Sequence, residues 1–159
     1  MIEKVISGGQ TGVDRLGLEV AKVLGIPTGG TAPKGFKTEK GTDLTLRDFG
    51  LVESRHVGYI ARTEQNVLDA DATVIYGDPT SSGSKLTIQF LKKSGKPYII
   101  NPDIQQFVEF MVLNNVKVLN VAGNRESVLG TLKSIEVRGT FLSSMMQLKK
   151  VTEQHGEKR

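Results

Sequence analysis

The residues most able to do chemistry in this chain sit in short glycine-rich stretches and at a few isolated cations. Ser7-Gly8-Gly9-Gln10-Thr11-Gly12-Val13-Asp14-Arg15 follows directly on an apolar pair, Val5-Ile6. Glycines let backbone N–H groups approach an anion, and a helix starting there adds a favourable dipole. Ser7 and Thr11 add hydroxyls. The stretch has neither the Gly-Lys-Ser/Thr of a Walker A loop nor the G-x-G-x-x-G of a dinucleotide loop. Read as plain structure it is a tight strand–helix turn, with Asp14 as an acid at the helix start.

A second stretch, Gly77 to Thr87 (GDPTSSGSKLT), has the same character. Ser82, Gly83 and Ser84 offer an anion or ribose site, and Asp78 could accept a pair of hydroxyls. Between the two lies Lys34, set between Pro33 and Gly35, which either reaches a phosphate or is simply solvated. Arg62 and Asn66 are four residues apart and share one helix face, with Ile60 and Val67 on the other side. A guanidinium so placed can clamp an anion through two bonds. Arg125, after Gly123-Asn124, either points into a ligand cleft or pairs with an acid.

Other chemistries lack their parts. The two histidines, His56 and His155, are far apart, and there is no cysteine. That removes thiol nucleophiles, thiolate metal sites and a Ser-His-Asp arrangement, and the expectation is no metal site. Glu64, Asp14 and Asp71 are the carboxylates near the candidate loops; Asp71 reads as a turn residue, and Glu64 is the acid/base if the protein is an enzyme. Lysines are scattered rather than striped and aromatics are few, which argues against a nucleic-acid partner. A net charge of +4 suits a small anionic ligand.

The elements that must hold these loops follow from periodicity. Glu3 to Ser7, Ile26 to Gly30, Ala72 to Tyr76, Pro97 to Ile100 and Lys117 to Val121 read as strands. Helices are predicted from Val13 to Leu24, stopped by Gly25, and from Val57 to Ala70. A third runs from Ser84 to Ser94 with Leu86, Phe90 and Lys93 in register. A fourth, capped by Asp103, runs to Leu113. A long helix from Arg125 to Leu148 carries Val128, Leu132, Ile135, Leu142 and Met146 at steps of three and four, with Gly139 filling the missing place, and this stripe offers an oligomer face. Thr31 to Arg55 reads as irregular. The length suits one domain over residues 1–150, with a polar, frayed tail over 151–159. Strands alternating with amphipathic helices predict an α/β fold, a mainly parallel sheet with helices on both faces. Such sheets bind ligands beyond the carboxyl ends of their strands, where all the glycine-rich loops fall. The N-terminal pattern lacks a signal peptide, and no apolar run approaches the roughly 20 residues of a membrane span. The expectation is a cytoplasmic protein without a membrane partner.

In this order, SGGQTGVDR, GGTAPKG, RTEQNV, DADATVIY, GSKLT, GKPY and NVAGNRES resemble the putative molybdenum carrier family. That family is a YpsA-like branch of the SLOG superfamily, related to the lysine-decarboxylase-like phosphoribohydrolases. The resemblance covers about Val5 to Gly130. It implies a Rossmann-like three-layer sandwich and a phosphate-bearing, nucleotide-like ligand, or molybdenum cofactor with its phosphate. By position it implies Gly8, Gly9, Gln10, Thr11 and Gly12 as a first binding loop and Lys34 as the lysine of Pro-Lys-Gly. It further implies Arg62 with Asn66, then Gly83, Ser84 and Thr87 as a second loop, and Arg125, Glu126 and Ser127 as the terminal motif. This chain has Gly83-Ser84-Lys85 where the family often has Gly-Gly-Thr, and Asn124 where it often has proline. The phosphoribohydrolase signature P-G-G-x-G-T-x-x-E is absent, so hydrolysis of a nucleoside monophosphate stands as the alternative to binding. SLOG domains also sense nucleotide signals of antiviral immunity, so binding and sequestration of a cyclic ADP-ribose-type signal is a further alternative. Similar proteins form homodimers or homotetramers.

Overall fold

A computed structural model describes residues 1–157. Six parallel strands form one sheet, in the order β5-β2-β1-β8-β6-β7. They are β1 (Lys4–Ile6), β2 (Thr28–Ala32), β5 (Leu51–Glu53), β6 (Ala72–Tyr76), β7 (Tyr98–Ile100) and β8 (Val118–Gly123). The chain starts in the middle, builds outward to β5, crosses to β6 and β7, and returns to insert β8 between β1 and β6. The registers Val5↔Leu119 and Thr73↔Asn120 set this insertion. Asn120 Nδ2 donates to Thr73 Oγ1 across the buried pair at 3.2 Å.

Alternation along β6 assigns the two faces. Ala72, Val74 and Tyr76 pack into the main core with residues of α1 (Val13–Val23), α4 (Ile104–Leu113) and α6 (Thr131–Glu157). Ile75 packs on the opposite face with Val67 of α2 (Ile60–Asp69) and Leu91 of α3 (Ser82–Ser94). Strands covered on both faces read as continuous apolar runs, and β6 is buried along its whole length. The Asp103 carboxylate caps α4 through the Gln106 N–H, and the Gln106 side chain accepts from the Asp103 N–H.

Several readings of the sequence change. The second strand runs to Ala32, so Thr31 pairs in the sheet. The segment taken as irregular holds the hairpin β3 (Lys37–Thr38) and β4 (Gly41–Thr42), a 3₁₀ turn at Leu44–Phe49 and the edge strand β5. Phe36, Leu46, Phe49 and Leu51 there form a small second core with Leu18 of α1 and Ala32. Its apolar residues are spaced irregularly because they wrap around a corner instead of lining one element. In α3 the inward positions are Ser84, Thr87 and Leu91, and Lys93 is exposed.

The long helix is two helices. Gly130 (φ +82) separates α5 (Glu126–Leu129) from α6, because its left-handed backbone interrupts the ladder of i to i−4 bonds. The inward stripe of α6 is Val137, Phe141, Met145 and Leu148, so the stripe expected from Leu132 to Met146 lies largely on the outer side. Residues 151–157 are helical rather than frayed, with Val151 packed against the main core. The last part of the predicted tail, 158–159, lies outside the described residues. Among the described residues no helix is long and apolar enough to cross a membrane.

Candidate functional site

A cleft of about 290 Å³ opens beyond the carboxyl ends of β1, β6 and β8, on the side of α2 and α3. One wall carries Tyr59, Arg62 and Thr63 at the start of α2. The facing wall carries Gly83, Leu86 and Thr87 of α3. Gly123 to Arg125 and Val128 close the end, and Gln10 and Asp14 come from the first loop.

The first loop shapes this cleft mainly by letting other groups come close. A Cβ on Gly8 would lie 1.9 Å from Arg62 Nη1, so the guanidinium rests where any side chain would stand. At Gly12 (φ +80) a Cβ would lie 2.3 Å from the Asn124 carbonyl oxygen. That is the carbonyl to which the Val13 N–H donates at 3.1 Å. Gly9 is turned toward Leu46 and Leu51 of the second core. The Ser7 hydroxyl donates to the Asp14 carbonyl at 3.0 Å.

Arg62 Nη1 donates to Asp14 Oδ2 at 3.2 Å, with the two side chains 14 % and 4 % exposed. The Gln10 N–H donates to the same oxygen. Burial pushes the Asp14 carboxyl above the ordinary carboxylate range, against the opposing pull of Arg62. The guanidinium also stacks 5.5 Å from the centre of the Tyr59 ring, and its Nε is buried with no partner. Ser84 is 2 % exposed and its hydroxyl has no partner either. Its N–H is taken by the Ser81 hydroxyl, the N-cap of α3. The N–H groups of Ser82 and Gly83, in the first helical turn, have no intrahelical acceptor.

At the mouth of the cleft stands a residue that sequence reasoning did not find. Glu39, at the tip of the β3–β4 hairpin, accepts from the Thr11 hydroxyl (2.6 Å) and from the Ser127 N–H (3.0 Å) and hydroxyl (2.5 Å). Arg125 Nε lies 3.4 Å away. Burial alone would raise the Glu39 carboxyl, but hydrogen bonds from Ser127 and Thr11 and the charge of Arg125 together hold it below its usual range. Lys40 on the same hairpin donates to Glu126 at 2.6 Å. Gln10 Oε1 accepts from both the Thr11 and the Glu39 N–H groups. The hairpin is thereby latched across the first loop and α5. No local signal marks Glu39, because its partners are distant in sequence.

The sequence-predicted residues divide accordingly. Gln10, Arg62, Gly83, Thr87 and Arg125 line the cleft, whereas Ser84, buried on α3, is not part of its lining. Arg125 does both things expected of it, lining the cleft and pairing with an acid. Thr11 is committed to Glu39 and to the Glu126 N–H. The Asn66 amide is spent on the backbone of Thr31, accepting from its N–H at 2.8 Å and donating to its carbonyl at 2.9 Å. Lys34 is exposed on the turn after β2 and Glu64 is half-buried on α2, both outside the cleft lining. Asp78 accepts from the Thr80 N–H and hydroxyl, and those bonds lower its carboxyl. Asp71 accepts from the Lys117 and Val118 N–H groups at the start of β8, at the opposite end of the sheet.

Asn124 is the second residue missed. Its amide accepts from the Asp78 N–H (2.6 Å) and donates to the Asp78 carbonyl and the Ser81 hydroxyl. It joins the loops after β6 and β8, the kind of strand-end bridging that a neighbouring Arg-Glu-Ser motif could have suggested. Tyr59 was also legible, since it lies three residues before Arg62 and shares its face. Among the described residues no cluster of His, Asp or Glu could hold a metal ion.

The model of the circularly permutated YpsA SLOG family matches residues 5–144. A solved structure from Syntrophus aciditrophicus, described as a putative molybdenum carrier protein, is 33% identical and superposes with a TM-score of 0.76. The match covers 92% of this chain and 94% of that one. No curated protein matches.

Proposed function

The chain belongs to the circularly permutated YpsA SLOG family, and on that premise we propose that it binds a phosphate-bearing, nucleotide-like small molecule in the cleft between α2 and α3. One observation carries the reading. Arg62, in the cleft wall, has a buried Nε with no partner within the chain, beside the open first turn of α3. A buried donor without an acceptor is unfavourable, and a phosphate or ribose oxygen would supply one. The phosphate sits against the Ser82 and Gly83 N–H groups, with the α3 dipole behind them. Arg62 and Tyr59 contact the sugar or base, and Leu86 and Val128 pack on its apolar surface.

The neighbour is described as a putative molybdenum carrier protein, and we extend the ligand class to molybdenum cofactor as cargo. With no metal-ligating cluster among the described residues, such cargo is held by its phosphate and ring system. Binding without turnover fits Asp14, a carboxylate of the cleft lining, because it is already paired with Arg62. The role is therefore that of a carrier, sensor or sequestering protein. A reducing, cytoplasmic setting agrees with a cysteine-free chain. The reading also includes self-association as a dimer or tetramer.

Calorimetry against AMP, ADP-ribose, cyclic ADP-ribose and molybdenum cofactor tests it. At least one should bind at tens of micromolar or tighter. Ser82→Asp should weaken that ligand by about tenfold or more while leaving the fold intact, since an acid is favourable in a first helical turn. No binding by any of the four overturns the reading.

A further inference from the structure

A second cavity, of about 710 Å³, opens on the other face of the sheet, between the start of α4 and α6. Pro102 and Ile104 line it from one side, Lys133, Val137 and Thr140 from the other, and Tyr76, the last residue of β6, completes the wall. Small-molecule sites span roughly 300–1,000 Å³. The turn into α4 is fixed in place. Asn101 has a left-handed backbone (φ +45), and its side-chain amide accepts from the Gly77 N–H and donates to the Gly77 carbonyl, each at 2.8 Å. The Tyr76 ring is held edge-on to Phe141, with centroids 6.0 Å apart. Tyr76 is 2 % exposed, yet its hydroxyl has no partner within the chain. Burial pushes the phenol far above its ordinary range, so it keeps its proton and is a donor. A buried O–H without an acceptor is unfavourable, and this one belongs to a residue of a cavity wall.

We propose that this cavity is a second ligand site, for an uncharged nitrogen heterocycle that carries an amino group, of nucleoside size. The lining groups select that class. The Tyr76 O–H needs an acceptor, which a ring nitrogen or carbonyl supplies. The Asp103 and Glu136 carboxylates, also in the lining, take donors. One oxygen of Asp103 accepts from the Gln106 N–H, and one oxygen of Glu136 accepts from Lys133 at 3.3 Å. Each carboxylate keeps a second oxygen for an amino N–H. Pro102, Val137 and Ile104, the last 40 % exposed, offer apolar surface to a ring. Other occupants fail one of these demands. A phosphate or carboxylate would accept from Tyr76 but meet two carboxylates against one lysine, and the α4 N-terminus that would draw it is already capped by Asp103. An ammonium ion suits the carboxylates and leaves the Tyr76 O–H without an acceptor. A hydrocarbon satisfies neither. The inference does not rest on the phosphate-bearing ligand of the first cleft, which lies across the sheet.

Amide-resolved NMR titration of the full chain with adenosine, guanosine and cytidine decides the matter. At least one should shift the amides of residues 104–105 and 133–140 saturably, with a Kd of about 1 mM or tighter. Its 5′-monophosphate should bind there about tenfold more weakly, because it brings negative charge toward Asp103 and Glu136. Tyr76→Phe should weaken the nucleoside by about tenfold. The same variant should leave the melting temperature of the free protein unchanged or raised, because it removes a hydroxyl without a partner. Glu136→Lys, at an exposed position, should weaken the nucleoside and narrow its lead over the monophosphate. Ser82→Asp, in the first cleft, should leave this binding as it is, which keeps failure here distinct from failure of the cleft reading. Shifts confined to α2 and α3, or no shift with any of the three nucleosides, overturn the proposal. So does a monophosphate that binds there more tightly, or an affinity indifferent to Tyr76→Phe. A melting temperature lowered by Tyr76→Phe also overturns it, because the hydroxyl would then be satisfied without a ligand.

Discussion

Two arginine–carboxylate pairs flank the same cleft and behave differently. Arg62–Asp14 lies inside, with side chains 14 % and 4 % exposed, held by α2 and the first loop. Arg125–Glu39 lies at the mouth, with Arg125 54 % exposed and Glu39 supplied by a short hairpin. Burial raises the inner acid, whereas hydrogen bonds lower the outer one. A buried charge is costly to leave alone, so the inner pair is a structural commitment that fixes the Arg62 guanidinium. In the outer pair Arg125 is solvated while the Glu39 side chain is 16 % exposed, an arrangement that suits a latch.

The largest expected effect comes from breaking the inner pair. Arg62→Met leaves the Asp14 carboxylate buried without its partner and should cost about 3–5 kcal/mol in urea unfolding at neutral pH. The deficit should shrink on acidification. Asp14 has a raised folded-state value, so the folded state takes up the proton first and gains relative stability as pH falls. An unchanged unfolding midpoint in this variant would put the two pairs on an equal footing. Next in size is Gly8→Ala, which places a methyl 1.9 Å from Arg62 Nη1. Displacing the guanidinium should cost about 1–3 kcal/mol, and the melting temperature should fall.

Breaking the outer pair should hardly change global stability. Glu39→Gln should cost less than about 1 kcal/mol, yet speed hydrogen exchange at the hairpin amides of residues 37–42. Acid should do the same to the wild type. The stabilisation from Glu39 is present above its unfolded value of 4.5 and is lost as pH falls through the lowered folded value. Hairpin exchange that is insensitive to both changes would refute the latch.

Much of this architecture was legible without coordinates. The Ala72–Tyr76 strand, the helix after the first glycine loop, the Asp103 cap and the position of the loops beyond strand ends all come from local pattern. The buried role of Asn66 was not legible, because an amide four residues from an arginine suits a ligand as well as a strand backbone. The inward set of α6, Val137, Phe141, Met145 and Leu148, was not legible beside the outer stripe, since both faces carry apolar residues at helical spacing. Periodicity finds such stripes but cannot say which one meets the sheet.

By itself the sequence determined the parallel α/β layout, the clustering of glycine-rich loops at one sheet edge, and the absence of any thiol. These follow from residue type and short-range spacing, which act before the chain is folded. Only the tertiary structure decided that Arg62 rests on Gly8 and faces Asp14, and that Asn124 ties two strand-end loops together. It also decided that Glu39 reaches from a hairpin to Thr11 and Ser127. Each of these contacts joins residues dozens of positions apart, and the return of β8 to the centre of the sheet brings most of them into reach.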